Sequence, residues 1–157
     1  LPQPDPIVIT TDSTDVLCFG GSDGVASITN VRGGNRGYNY LWDASANSVT
    51  TPVVTDLAAG IYEVTVTDTL GCFTTTSVQI VQPDDLQLTS EMRPTNCNGI
   101  ANGAINVSIE GGIPSYELLW STNDLTSKID GLTAGTYTIT VTDANNCELV
   151  EAIDVTQ

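Results

Sequence analysis

The residues of this chain able to do chemistry are its carboxylates and its four cysteines, because it holds no histidine and only four Lys and Arg. Without histidine the commonest general base, the Ser-His and Cys-His nucleophile pairs and most catalytic zinc sites fall away. Paired carboxylates exist, Asp12 with Asp15 and Asp84 with Asp85. A glycosidase pair must face across a cleft, whereas these four lie in turns or near the middle of the chain, so no enzyme is expected. Calcium is the other use of carboxylates. Asp84 and Asp85 are its candidate ligands, although no Asp-x-Asp-x-Asp-Gly loop is present. No other cofactor is expected. Cys18, Cys72, Cys97 and Cys147 form no Cys-x-x-Cys redox motif, and with no histidine beside them they do not read as a zinc site. Disulfides remain, with three possible pairings, and they place the chain in an oxidising compartment outside the cytoplasm.

The elements that position these residues read as strands. Gly, Asn, Thr and Asp are abundant, and no long segment carries apolar residues at helical spacing. The formal net charge of −15 excludes nucleic acid and anionic membrane surfaces as partners, since both need a basic footprint. No apolar run approaches the roughly eighteen residues of a membrane-spanning helix, so no membrane insertion is expected.

The chain is written twice. LAAGIYEVTVTDTLGC at 57–72 and LTAGTYTITVTDANNC at 132–147 agree at nine of sixteen positions. Cys18 matches Cys97, Gly24 matches Gly103, Gly33-Gly34 matches Gly111-Gly112, Trp42 matches Trp120 and Cys72 matches Cys147. The period of about 75–79 residues is that of a tandem array. It divides the chain into repeats 1–82 and 83–157, with almost no linker at Gln82-Pro83 to let them bend. The chain reads as a piece cut from a longer array.

Alternation within each repeat gives half-buried strands between Gly/Asn/Asp turns. Ile105, Val107 and Ile109 share one face, as do Tyr116, Leu118 and Trp120, and Tyr137, Ile139 and Val141. The tryptophans are in phase with apolar faces and read as core. Leu57–Gly60–Tyr62 and Leu132–Gly135–Tyr137 resemble the tyrosine corner of immunoglobulin-like sandwiches. The expected fold is therefore all-β, two tandem immunoglobulin-like antiparallel sandwiches. Counting four full crossings between the cysteines of one repeat returns the chain to its starting end. That count favours Cys18–Cys72 and Cys97–Cys147, with an inter-repeat staple as the rival.

The series C-x5-G, then GG-x-x-x-Y before a strand ending in Trp, then L-x-AG-x-Y-x-V/I-TVTD-x3-C, resembles the SprB repeat of very large Bacteroidota cell-surface proteins. The resemblance spans both copies. It implies an extracellular, surface-exposed module, exported by the type IX system and acting in attachment and gliding, and it brings no catalytic residues. Its implied partners are neighbouring repeats of the same chain, and surface polysaccharide or the substratum. The alternative is a carbohydrate-binding module, for which Tyr38, Asn39 and Tyr40 are the candidate ligand residues. Asp12-Ser13-Thr14 and Asp68-Thr69-Leu70 resemble a Bacteroidota O-glycosylation pattern, which makes Ser13 and Thr69 candidate glycan sites.

Overall fold

The computed structural model describes residues 5–95 and 101–157. The chain divides into two units, Leu1–Gln82 and Pro83–Gln157. The first contains β1 (Val8–Thr14), β2 (Gly24–Arg32), β3 (Asn39–Trp42), β4 (Val53–Leu57), β5 (Gly60–Thr67) and β6 (Phe73–Ile80), with one short 3-10 turn at Ala44–Ala46. The second contains β7 (Gln87–Arg93), β8 (Gly103–Glu110), β9 (Glu117–Trp120), β10 (Lys128–Leu132), β11 (Gly135–Thr142) and β12 (Glu148–Val155). Each unit is a pair of three-stranded antiparallel sheets. They are β1-β2-β4 and β3-β5-β6 in the first, β7-β8-β10 and β9-β11-β12 in the second.

The alternation in the sequence becomes the inside and outside of each sandwich. Along β5, Tyr62, Val64 and Val66 are buried while Ile61 and Glu63 are exposed. Inner faces of the two sheets meet in one apolar core per unit. Trp42, Val54, Leu57 and Ile80 belong to the first core, and Trp120, Ile105, Leu132 and Val155 to the second. Both indoles are buried, and each Nε1–H donates to a main-chain carbonyl, Thr51 for Trp42 at 3.0 Å and Thr126 for Trp120 at 2.9 Å. The tyrosine corner forms in both units, and so the architecture is immunoglobulin-like. Tyr62 Oη donates to Ala58 O at 2.8 Å and Tyr137 Oη to Thr133 O at 3.0 Å. Removing the first hydroxyl (Tyr62→Phe) should cost about 1 kcal/mol, which for a unit of this size lowers the melting midpoint by about 4–8 °C. An unchanged midpoint would mean that the corner does not stabilise the unit.

The path of the chain differs from the expected four full crossings. Gly24, which opens β2, faces the carbonyl of Leu57 and the side chain of Ile80, and Gly60, which opens β5, pairs with Ile80. Both strands therefore start at the end where β6 finishes, here called the exit end. β3 is only four residues long and pairs with the far part of β5, Asn39 with Thr67 and Trp42 with Val64. β4 pairs with the near part of β2, Gly24 with Leu57 and Ser27 with Val53. Each is antiparallel to a strand that leaves the exit end, so both run toward it. Together they make one crossing, changing sheets between residues 43 and 52. β9 and β10 repeat this in the second unit, with Ile139 opposite Trp120 and Gly103 opposite Leu132.

Three crossings separate the cysteine positions, so the expected Cys18–Cys72 bridge is not formed. Cys18 follows Val16, whose N–H donates to Val81 O at 3.0 Å, at the exit end. Cys72 precedes Phe73, at the opposite end of the eight-residue β6. That strand is roughly 26 Å long, and a disulfide spans at most about 7 Å between Cα atoms. The Cys72 thiol is accordingly free and exposed.

Candidate functional site: the aspartate-anchored cysteine turn

The inward phase of β5, set by Tyr62, Val64 and Val66, continues to Asp68, and that of β11 continues to Asp143. Both carboxylates are buried, 3% and 4% exposed. Burial of a charge is tolerated only with hydrogen bonds, and main-chain donors supply them. Asp68 Oδ1 accepts from the N–H groups of Leu70 and Cys72, both at 2.9 Å, and Oδ2 from Asn35 at 2.9 Å. In the second unit Asp143 Oδ1 accepts from Asn145 at 2.8 Å and Cys147 at 2.9 Å, and Oδ2 from Ile113 at 2.8 Å. Main-chain bonds close the same turn, from Asp68 N to Cys72 O at 2.8 Å and from Asp143 N to Cys147 O at 3.0 Å. One carboxylate thus fixes the cysteine turn and fastens it to the double-glycine turn across the sandwich.

The double glycine is required by that proximity. Gly33 and Gly111 have φ of +77° and +73°, and a Cβ there would lie 1.9 Å from Pro6 O and 1.8 Å from Asp85 O. A Cβ on Gly34 or Gly112 would stand 2.9 or 2.8 Å from the aspartate Oδ2. A second tyrosine braces the same turn, Tyr38 Oη donating to Gly33 O at 2.6 Å and Tyr116 Oη to Gly111 O at 2.7 Å.

These contacts set the charge state of the aspartates. For Asp68 the N–H of Asn35 is the strongest influence, opposed by desolvation, and with Cys72 and Leu70 it holds the carboxyl below its ordinary value. For Asp143 desolvation is the largest single influence and pushes upward, but Ile113, Cys147 and Asn145 together outweigh it, and the net direction is again down. A folded-state pKa below the unfolded one stabilises the fold at pH above the ordinary aspartate range, near 4. That stabilisation drains away as pH falls through the lowered folded values. Acid also relieves the −15 self-repulsion, which acts in the opposite sense. The expected result is therefore a difference: between pH 5 and pH 2 the wild type should lose more stability than Asp68→Asn/Asp143→Asn. Parallel melting curves for the two would contradict this assignment.

The other candidates scatter. Cys18 and Cys147 are each disulfide-bonded. Cys97, and with it the Cys97–Cys147 pairing, lies outside the described residues. Tyr38 spends its hydroxyl on Gly33, while Asn39 is exposed and Tyr40 half-buried on β3. Asp84 and Asp85 point their side chains outward, and Asp84 acts through its main-chain carbonyl, which accepts from Gly112 N–H at 2.9 Å. Among the described residues no group of three or more His, Cys, Asp or Glu is placed to hold a metal ion. Ser13 and Thr69 are exposed, and Thr69 Oγ1 donates to Arg36 O at 3.4 Å.

Among curated proteins none matches the chain. Solved structures similar to it include the three N-terminal domains of the bacteriophage RB49 Highly Immunogenic Outer Capsid protein (Hoc), with TM-score 0.48 and 16% identity over 96% of this chain and 58% of that one. The amphioxus IgVJ-C2 molecule aligns with TM-score 0.37 and 15% identity, over 94% of this chain and 96% of that one. A Dscam structure, described for its isoform specificity, aligns with TM-score 0.39 and 10% identity, over 98% and 46%. This chain thus spans 58% of the length of the Hoc chain. The family model of the SprB repeat matches residues 10–47 and 89–125, which begin in β1 and β7, the corresponding first strands of the two units. With one match in each unit, the chain carries tandem SprB repeats.

Proposed function

We propose that the chain is a non-catalytic pair of modules from a large secreted cell-surface adhesin, part of a stiff filament used in surface attachment and gliding. The observation that carries this reading is the path of the chain. Each unit takes the chain in at one end of its sandwich and releases it at the other, which supports a role as one bead in a chain of like beads. The junction is minimal: the Gln82 side chain accepts from Gly20 N–H within the first unit, and Asp84 O accepts from Gly112 N–H within the second. Pro83 alone lies between those anchors. The high negative charge supports a solvated, self-repelling outer surface, and the disulfide-bonded cysteines support an extracellular site. Antibodies against the chain should label intact cells of the producing bacterium. Labelling that appears only after the envelope is permeabilised would contradict a surface role.

One observation favours the alternative of a carbohydrate-binding module. A shallow hollow of the first unit joins Tyr38 to Arg32 and Arg36, two of the four basic residues of the chain. An acidic glycan is the ligand such a hollow would suit. Binding on a glycan array that Arg36→Ala abolishes would favour this reading over that of a passive spacer.

A further inference from the structure

We infer that the outer face of the sheet β7-β8-β10 docks on the same face of a second copy of the chain. Outward side chains of neighbouring strands stand opposite one another across a sheet. Glu91, Asn106 and Lys128 make one such row, and Arg93, Ala104 and Asp130 make the next. All but Ala104 are exposed. The two rows set four charges at the corners of a rectangle, and their signs alternate around it in the order Glu91, Lys128, Asp130, Arg93. Ala104 and Asn106 leave a shallow hollow between the corners. Within the unit these charges are only loosely held. Lys128 Nζ stands 3.5 Å from Asp130 Oδ2, with side chains 61% and 69% exposed, and Arg93 donates to Asn102 O at 2.9 Å.

The fold does not need them. Asp12, Ser27 and Val53 make the equivalent row of the first unit, and Thr14 and Thr55 hold the places of Arg93 and Asp130. Those positions carry no basic residue there, and the sheet forms all the same. The second unit instead gathers both of its basic residues, Arg93 and Lys128, on this one face. Most of the surface of a chain with net charge −15 repels a copy of itself.

Alternating corners are self-complementary under two-fold symmetry. An axis along β8 sets Arg93 against Asp130 of the second copy, and Glu91 against its Lys128. An axis across the strands sets Arg93 against Glu91 of the second copy, and Lys128 against its Asp130. Either way every charge meets its opposite, so on this face repulsion between copies gives way to attraction. Three strands about 5 Å apart make a small face beside the roughly 800 Å² that each partner gives a stable complex, so a single contact is weak and is best trapped.

Lys128 is the only lysine of the chain, which makes trapping specific. Isotope-labelled and unlabelled chains are mixed at high concentration and treated with a water-soluble carbodiimide, which joins an amine to a carboxylate touching it. The expected product is a mixed-isotope dimer in which Lys128 of one copy is bonded to Glu91 or Asp130 of the other. Arg93→Glu should lower its yield several-fold. A chain with all four corners reversed (Glu91→Arg, Arg93→Glu, Lys128→Glu and Asp130→Lys) should cross-link with itself again, through its new lysine, and not with the wild type. The absence of mixed-isotope dimers, or Lys128 bonded to carboxylates of any other face, would overturn the proposal. So would an unchanged yield in Arg93→Glu, or a reversed chain that joins the wild type as readily as itself.

Discussion

Replacing Trp120 with alanine should unfold the second repeat while the first stays folded. Trp120 lies at the change of sheets between β9 and β10, opposite Ile139, and is 1% exposed. Its removal leaves a large void and frees the Thr126 carbonyl that its Nε1–H satisfied. Losses of this kind run to about 3–5 kcal/mol. A repeat of about 75 residues has roughly 4–11 kcal/mol to lose, so one at the lower end of that range is left with little or nothing. Each unit has its own core and its own tryptophan, which makes the outcome easy to read. In the Trp120→Ala protein all indole fluorescence comes from Trp42, so urea unfolding followed by fluorescence reports the first unit alone. Far-UV circular dichroism reports both. Under reducing conditions the Trp42 transition should keep its midpoint, while about half of the dichroism signal is already lost before urea is added. A Trp42 midpoint that falls with the substitution would show that the units do not fold independently.

The second large effect is expected at Asp143. Alanine there leaves the N–H groups of Ile113, Asn145 and Cys147 without their common acceptor. Water can reach part of this turn, so the cost is less than three full desolvation penalties, about 2–4 kcal/mol. Asp143→Asn should also destabilise, because an amide turns a donor toward one of the main-chain donors. The cysteine turn should loosen with it, visible as faster amide exchange at Cys147 in either variant. If Asp143→Asn melts like the wild type and protects Cys147 equally, the carboxylate is not what holds the turn.

Much of this architecture was legible in the sequence. Alternation gave the inward faces of β8, β9 and β11, the paired LxxG-x-Tyr segments gave the tyrosine corner, and phase alone placed both tryptophans in the core. The aspartate anchor was legible too, though it takes a different reading of the same strand. Asp68 falls on the phase of Tyr62, Val64 and Val66, and a carboxylate on an inward phase must be buried and bonded. The bracing role of Tyr38 was hidden by its mixed surroundings, where an exposed ligand contact and a bond back to Gly33 look alike. The cysteine pairing was not legible, for a definite reason. Period-two alternation says which residues face inward, but not which sheet a strand joins or which way it runs. β3 and β4 look like two strands and act as one crossing, and that single unit of parity moves Cys72 to the far end of its sandwich.

The central claim, that these repeats are mechanical modules, is tested most directly by pulling the chain from its two ends. Each unit has its own apolar core, so each should resist the force separately. Under reducing conditions the extension should show two separate unfolding events, each releasing on the order of 250 Å of contour. An extension that releases both units in one event, or with no resolved event at all, would contradict the claim.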